Sequence, residues 1–220
     1  MSTYHKIPNI FKRSPDGKRV LFGEFTKPEF EFLKDVPWNF TEKVDGTNIR
    51  VIWNGYNFEF KGRTDRAQIP NFLFDKLKEI WLPREEIVEE IFSDKQVIFY
   101  GEGYGPKINK GHRYRDDVSF IMFDIKVEDV FLTLENMFQV SSRLGIKHVP
   151  LIYTVTLLEA VELVKKGAAS VVRNKVDKDV LVEGLVGKPV VELYNRLGKR
   201  IIVKILTRDF LENKEDFVTL

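Results

Sequence analysis

The dipeptide Asn54-Gly55 sits between two arms of alternating residues, NIRVIW and YNFEFKG. Asn-Gly is favoured in two-residue hairpin turns because both residues tolerate left-handed backbone, so this stretch predicts an antiparallel hairpin turning on Asn54-Gly55. Side chains alternate across a strand, which sets Ile49, Val51 and Trp53 on one face of the first arm and Phe58 and Phe60 on one face of the second. A hairpin with such an apolar face needs a larger sheet around it and a layer over it. Eighteen Phe and three Trp in 220 residues provide the material for that core.

Elsewhere the period changes. NFLFDKLKEIWL, from Asn71, spaces Phe72, Leu73, Leu77 and Ile80 as a helix face. Pro83 opens a second helix, PREEIVEEIF, with acids in the first turn where the helix dipole favours them. QVIFYGEGYG reads as a buried strand, PKINKGHRYRDD as a basic loop and VSFIMFDIKV as a further strand. Thr133 caps and Gly145 stops a helix over TLENMFQVSSRLG; after the strand HVPLIYTV, TLLEAVELVKKG follows the same logic. The last third reads as strands VLVEGLVGK, VVELYN and RIIVKIL around an RLGK turn. The expectation is one α+β domain over residues 1–220, with two packed, mainly antiparallel sheets and flanking helices, and no C-terminal accessory domain.

The absence of cysteine excludes disulfides and cysteine-ligated zinc, and His5, His112 and His148 are too scattered to suggest a metal cluster. No apolar run approaches the ~18 residues of a membrane span. The N-terminal stretch MSTYHKIPNIFKRSPDGKRV is polar and basic, without the apolar segment of a secretory signal. A cytoplasmic protein with no membrane partner is expected. The net charge of +2 decides little about nucleic acid; local clustering matters more.

Charged residues recur where strands should be buried: Lys43, Asp45, Lys61, Arg63, Glu102, Asp124, Glu183 and Lys204. Buried charges are rare unless paired or functional, and several at strand ends imply a polar cleft. Structural pairing is the bland explanation, Lys43 with Glu42 or Asp45 and Glu183 with Lys204. The stretches EKVDGTNI, KGRT, YGEGYG, FIMFDI, VEGLVGKP and VKIL, in that order from Glu42 to Leu206, resemble the motif set of the covalent nucleotidyltransferases. They are most similar to the ATP-dependent nick-sealing RNA ligases of the phage and editing-complex type. A lone Lys-x-Asp-Gly is a weak signal; six motifs in the family's order are a strong one.

That resemblance implies a nucleotidyltransferase, ATP-grasp-like catalytic domain that forms a lysyl-AMP on Lys43, passes AMP to an RNA 5′-phosphate and seals the strand when a 3′-hydroxyl attacks. It implies ATP as AMP donor and Mg²⁺ or Mn²⁺ as metal. Lys204 would be the second catalytic cation and Glu183 the metal ligand. Glu42, Asp45, Asn48, Arg63, Glu102, Phe123 and Lys188 would bind the nucleotide, Phe123 by stacking on adenine. An attacking lysine must be neutral, which for a free lysine at pH 7 costs about 4–5 kcal/mol, so a nearby cation and a semi-buried site help. Lys107, Lys110, Arg113 and Arg115 in the basic loop are candidate RNA contacts. The chain departs from the pattern at Leu206, where the family's final motif carries a second lysine. The expected partners are RNA ends or a nicked duplex, with an accessory protein in the role of the missing domain. The alternatives are a DNA ligase, a GTP-using capping-type enzyme and, in another class, a nucleic-acid-end binding module with weakened catalysis.

Overall fold

The structure, a computed structural model, describes residues 3–111, 114–173 and 180–211. In chain order the strands and helices are β1 (Phe11–Arg13), β2 (Val20–Phe25), α1 (Pro28–Phe32), β3 (Trp38–Lys43), β4 (Thr47–Trp53), β5 (Phe58–Gly62), α2 (Asn71–Trp81), α3 (Glu85–Phe92), β6 (Val97–Tyr104), β7 (Ser119–Val127), β8 (Val130–Phe131), α4 (Leu134–Leu144), β9 (Leu151–Val155), α5 (Leu157–Lys165), β10 (Gly184–Pro189), β11 (Val203–Leu206) and α6 (Arg208–Leu211). The class is α+β with antiparallel sheets, as the sequence indicates.

The chain forms two compact units. The first comprises Met1–His5, Val44–Val149 and Arg173–Lys175 and holds a five-stranded sheet in the order β5-β4-β6-β7-β8. The hairpin register pairs Trp53 with Phe58 and Val51 with Phe60. This apolar face of β4 and β5 meets Leu73, Leu77 and Trp81 of α2, Val88 of α3 and Met137 of α4 in one core. Each fully buried side chain of this size contributes roughly 1.5–3 kcal/mol. The turn lies one residue later than the dipeptide suggests: Gly55 and Tyr56 are its central pair, and Gly55 has φ +99. Asn54 stands before them and accepts the N–H groups of Tyr56 and Asn57 on its Oδ1. Pro83 lies in a 3₁₀ turn, Leu82–Arg84, and the helix begins at Glu85, because the proline continues the bend out of α2 rather than starting a new axis.

The second unit comprises Lys6–Lys43, Pro150–Val172 and Val176–Leu220. Its main sheet runs β11-β10-β3-β9, all antiparallel, with β1 and β2 as a separate hairpin. Trp38 and Phe40 of β3, Leu185 of β10, and Val203 and Ile205 of β11 share a core with Leu157, Val161 and Val164 of α5. Thr156 caps α5 in a reciprocal box with Glu159. Two features differ from the sequence reading. VVELYN forms no strand beyond an isolated Tyr194–Arg200 bridge, since Val190 and Val191 point to solvent and have no core to join. The basic N-terminal stretch and the residues after it, by contrast, supply β1, β2 and α1, with Phe11 and Phe30 buried.

Candidate active site

In the second unit, β3 has a core face and a polar face. Trp38 and Phe40 define the first, so Asn39, Thr41 and Lys43 take the second. The register aligns Lys43 with Gly184 and Gly184 with Leu206; one pleat along, Thr41 aligns with Val186 and Val186 with Lys204. Lys43 and Lys204 therefore share a face with β10 between their strands. Lys43 Nζ donates to Glu183 Oε2 at 2.7 Å, with about a quarter to a third of each side chain exposed. Glu183 is held in turn by its backbone, whose carbonyl accepts from Thr207 N–H. A Cβ at Gly184 would stand 2.2 Å from the Ile205 carbonyl oxygen, so glycine lets β10 close on β11 beside Glu183.

Lys204 makes no ion pair among the described residues. Burial first, then the charges of Lys43 and Lys6, push its ammonium below the ordinary lysine value; Glu183 opposes the shift and Arg208 adds to it. Lys188 lies on the same face of β10, opposite Asn39 of β3. Glu42 faces the other way. Its side chain is buried, and its carboxylate accepts from Ser170 Oγ, Val171 N and Val172 N. Burial still pushes its pKa up, with those three donors pulling against it. Lys43 thus pairs with neither Glu42 nor Asp45, and its Glu183 partner is the residue the sequence reading matched with Lys204.

The long segment of the first unit begins at Val44, immediately after Lys43. Gly46 packs against β6 so closely that a Cβ there would meet the Gly103 carbonyl oxygen at 2.3 Å. The Asp45 N–H donates to the Tyr114 hydroxyl, and Asn109 Nδ2 donates to the Gly46 carbonyl. The loop after β6 is thus a buttress for the Asp45-Gly46 turn. Lys107 and Lys110 of that loop are exposed. Arg115 is committed to both oxygens of Asp117 and lies over the Tyr104 ring. Arg113 lies outside the described residues.

Asn48 of β4 stands opposite Glu102 of β6, and Asn48 Oδ1 is buried without a partner among the described residues. The last β4–β5 rung is Ile49–Gly62, so Arg63 leaves the sheet one position beyond, next to Asn48 in the pleat, and is exposed. A register shift between Tyr100 and Gly101 pairs Met122 with Gly101 and Asp124 with Tyr100, leaving Phe123 as the extra residue. Such a bulge re-aims side chains: Met122 joins the core, while Phe123 and Asp124 both reach Tyr4, Phe123 at 5.1 Å between rings and Asp124 by accepting the Tyr4 hydroxyl at 2.8 Å. Sequence reasoning missed Arg50. It is 0% exposed; its Nε donates to the Gly62 carbonyl and its Nη2 to Asp65, which fixes the start of the loop that carries Arg63. The signal was present, a charge inside NIRVIW of the kind that marked the other residues.

The family model described as RNA ligase matches residues 36–206. The chain belongs to the RNA ligase family. Its fold is that of an RNA ligase from Naegleria gruberi solved with PPi, at TM-score 0.63 and 20% identity, over 98% of this chain and 63% of that one. A mutant of the same ligase solved with ATP and Mn matches at TM-score 0.63 and 21% identity, over 84% of this chain and 53% of that one. A further mutant without ligand matches at 0.63 and 20%, over 97% and 62%. The chain thus spans little more than half of these solved relatives. No curated protein sequence matches it. Among the described residues no helix is long and apolar enough to cross a membrane.

Proposed function

We propose that this member of the RNA ligase family is an ATP-dependent ligase whose Lys43 carries the adenylate. The observation that carries the reading is the grouping of Lys43, Glu183 2.7 Å from it, and Lys204 on the polar face of one sheet. A relative of the same fold has been solved with ATP and Mn, which supports ATP as the donor. In the first step the neutral Lys43 amine attacks the α-phosphorus of ATP. The N–P bond forms, the bridging P–O bond breaks, and its electron pair leaves with pyrophosphate. An oxygen of an RNA 5′-phosphate then attacks the same phosphorus; the N–P bond breaks and Nζ regains a proton. Last, a 3′-hydroxyl attacks the activated 5′-phosphorus, the phosphodiester forms and AMP departs.

Glu183 is one carboxylate rather than a cage, and among the described residues no group of three or more His, Asp or Glu side chains is arranged to hold an ion. This fits a Mg²⁺ or Mn²⁺ ion that arrives with the phosphates, since Mg²⁺ takes one or two carboxylates and keeps waters or phosphate oxygens for the rest. When bound it neutralises charge on the phosphates. Glu183 would release Lys43 to take it, and the Lys204 charge would face the same phosphates. Asp45, Asn48, Arg63, Glu102, Phe123 and Lys188 are the proposed nucleotide contacts, and Glu42 contributes through its backbone because its carboxylate is already occupied. Lys107 and Lys110 are the proposed RNA contacts, and an accessory RNA-holding protein and a cytoplasmic setting complete the reading.

Intact-mass spectrometry after incubation with ATP and Mg²⁺ tests this. The expected result is a gain of one AMP with ATP but not GTP, absent from Lys43→Ala. No adduct with either nucleotide, with Mn²⁺ and several pH values tried, would leave a nucleic-acid-end binding module as the better account.

A further inference from the structure

The position where the family carries its second lysine is Leu206, buried in β11. A cavity of about 360 Å³ opens beside it, lined by Lys204 and Leu206 together with Asn9, Arg13, Lys18 and Arg208. All four of these last residues lie outside the family-matched segment, which runs from 36 to 206. They come together because the N-terminal segment extends the sheet: Asn9 bridges Lys204, with Ile10 N–H donating to the Lys204 carbonyl and Lys204 N–H to that of Pro8. That pairing carries β1, and with it Arg13, to the edge of β11. Arg13 then binds Asp209, the one acid lining the cavity among the described residues, which burial pushes toward the neutral form.

The balance of charge in this space is one-sided. Asp209 is taken by Arg13, and Arg208 is 3.9 Å from the same carboxylate and 70% exposed. Lys204 and Lys18 have no acid of their own there among the described residues. Asn9 Oδ1 is buried without a partner among the described residues. A concave site lined by one sign of charge concentrates ions of the other sign. The register places Lys204 two strands across and two residues along from Lys43, roughly 12 Å between Cα atoms, a span that two lysine side chains and one phosphate group can bridge.

We propose that this cavity is a phosphate-oxyanion site in which Arg208 and Lys18 supply the positive charge that Leu206 does not, while Arg13 neutralises Asp209. The inference rests on the reading of Lys43 as the adenylate carrier. It does not require the ligand to come from one source: the pyrophosphate group of ATP and the 5′-phosphate of RNA offer the same oxygens.

The test uses Arg208→Ala and Lys18→Ala, both exposed positions, singly and together in the full chain. Inorganic pyrophosphate is titrated calorimetrically against the unmodified protein, then used to reverse the isolated lysyl-AMP form, in which a pyrophosphate oxygen attacks phosphorus, the N–P bond breaks and ATP is released. In parallel the lysyl-AMP form is given a 5′-phosphorylated RNA nick. A rise of about tenfold in the half-saturating pyrophosphate concentration for each charge removed assigns the site to the leaving group. The same rise for the nick alone assigns it to the RNA end. Unchanged behaviour in both arms overturns the proposal. If the wild type forms no adduct, the calorimetric arm still decides the cavity, so its failure is distinct from failure of the ligase reading.

Discussion

The two sheets hold their strand charges in different ways. In the first unit Arg50 is fully buried, and its Nε and Nη2 are spent on the Gly62 carbonyl and Asp65; Asp124 is buried and takes the Tyr4 hydroxyl. In the second unit Lys43 and Glu183 are partly wet and hold one another. A fully enclosed charge is costly to strip of partners, whereas a half-exposed ion pair is worth little, about 0–1 kcal/mol. The first arrangement fixes where strands and loops sit. The second leaves both members free to exchange partners at small cost, which is what the roles proposed for them, nucleophile and metal ligand, require.

The largest effect expected from this contrast is chemical. Lys43→Arg keeps a cation beside Glu183, but a guanidinium stays protonated and cannot attack phosphorus. Adduct formation should fall by more than about a thousandfold, while the denaturation midpoint stays within about 1 kcal/mol of wild type because the pair it preserves contributes so little. Mass spectrometry and a urea titration on the same sample measure both. A large stability loss would mean that the Lys43–Glu183 pair is of the locked kind and the contrast is wrong. The converse change is Arg50→Ala. It opens a cavity and strands the Gly62 carbonyl, so a loss of about 3–4 kcal/mol is expected in the urea titration. The loop bearing Arg63 should loosen with it, seen as faster amide exchange over 63–69. An unchanged midpoint would show that burial alone does not make a strand charge structural.

How far this contrast was readable in the sequence depends on the range of the contact. The alternation in NIRVIW and YNFEFKG placed Ile49, Val51, Trp53, Phe58 and Phe60 on the core face, because period-two patterning is local. Thr133 and Thr156 were readable as caps for the same reason, each bonding a residue three along. The partner of Lys43 was not. Glu183 is 140 residues away, and it arrives there through a register that pairs Lys43 with Gly184; no pattern within either strand encodes it. The residues nearest in sequence, Glu42 and Asp45, looked like better partners until the pleat turned Glu42 to the opposite face. The β1–β2 hairpin hid behind its own charges, since Lys12, Arg13 and Glu24 interrupt the apolar positions Phe11, Phe22 and Phe25. VVELYN erred in the other direction, an apolar alternation with no surface waiting for it.

Glu42 sharpens the comparison because it is a locked charge one residue from an exchangeable one, in the same strand and the same unit. Whether a charge is locked therefore follows from the face it takes. Glu42→Ala would leave the Ser170 hydroxyl and the Val171 and Val172 N–H groups without an acceptor, a loss of about 2 kcal/mol. Glu42→Gln keeps an oxygen for the two backbone donors and should cost less, and the difference between wild type and this variant should depend on pH. Burial raises the Glu42 carboxyl above the ordinary carboxylate value, so the folded protein holds that proton more tightly than the unfolded chain does. The resulting stabilisation is complete below the unfolded value and is lost as pH rises through the folded one. Wild type should therefore lose stability relative to Glu42→Gln as the pH is raised from 4.5 toward neutrality, measured as urea midpoints at matched ionic strength. A gap that moved the other way would mean that the three donors outweigh burial and hold Glu42 ionised, making it an anchor of fixed charge beside the proposed nucleophile.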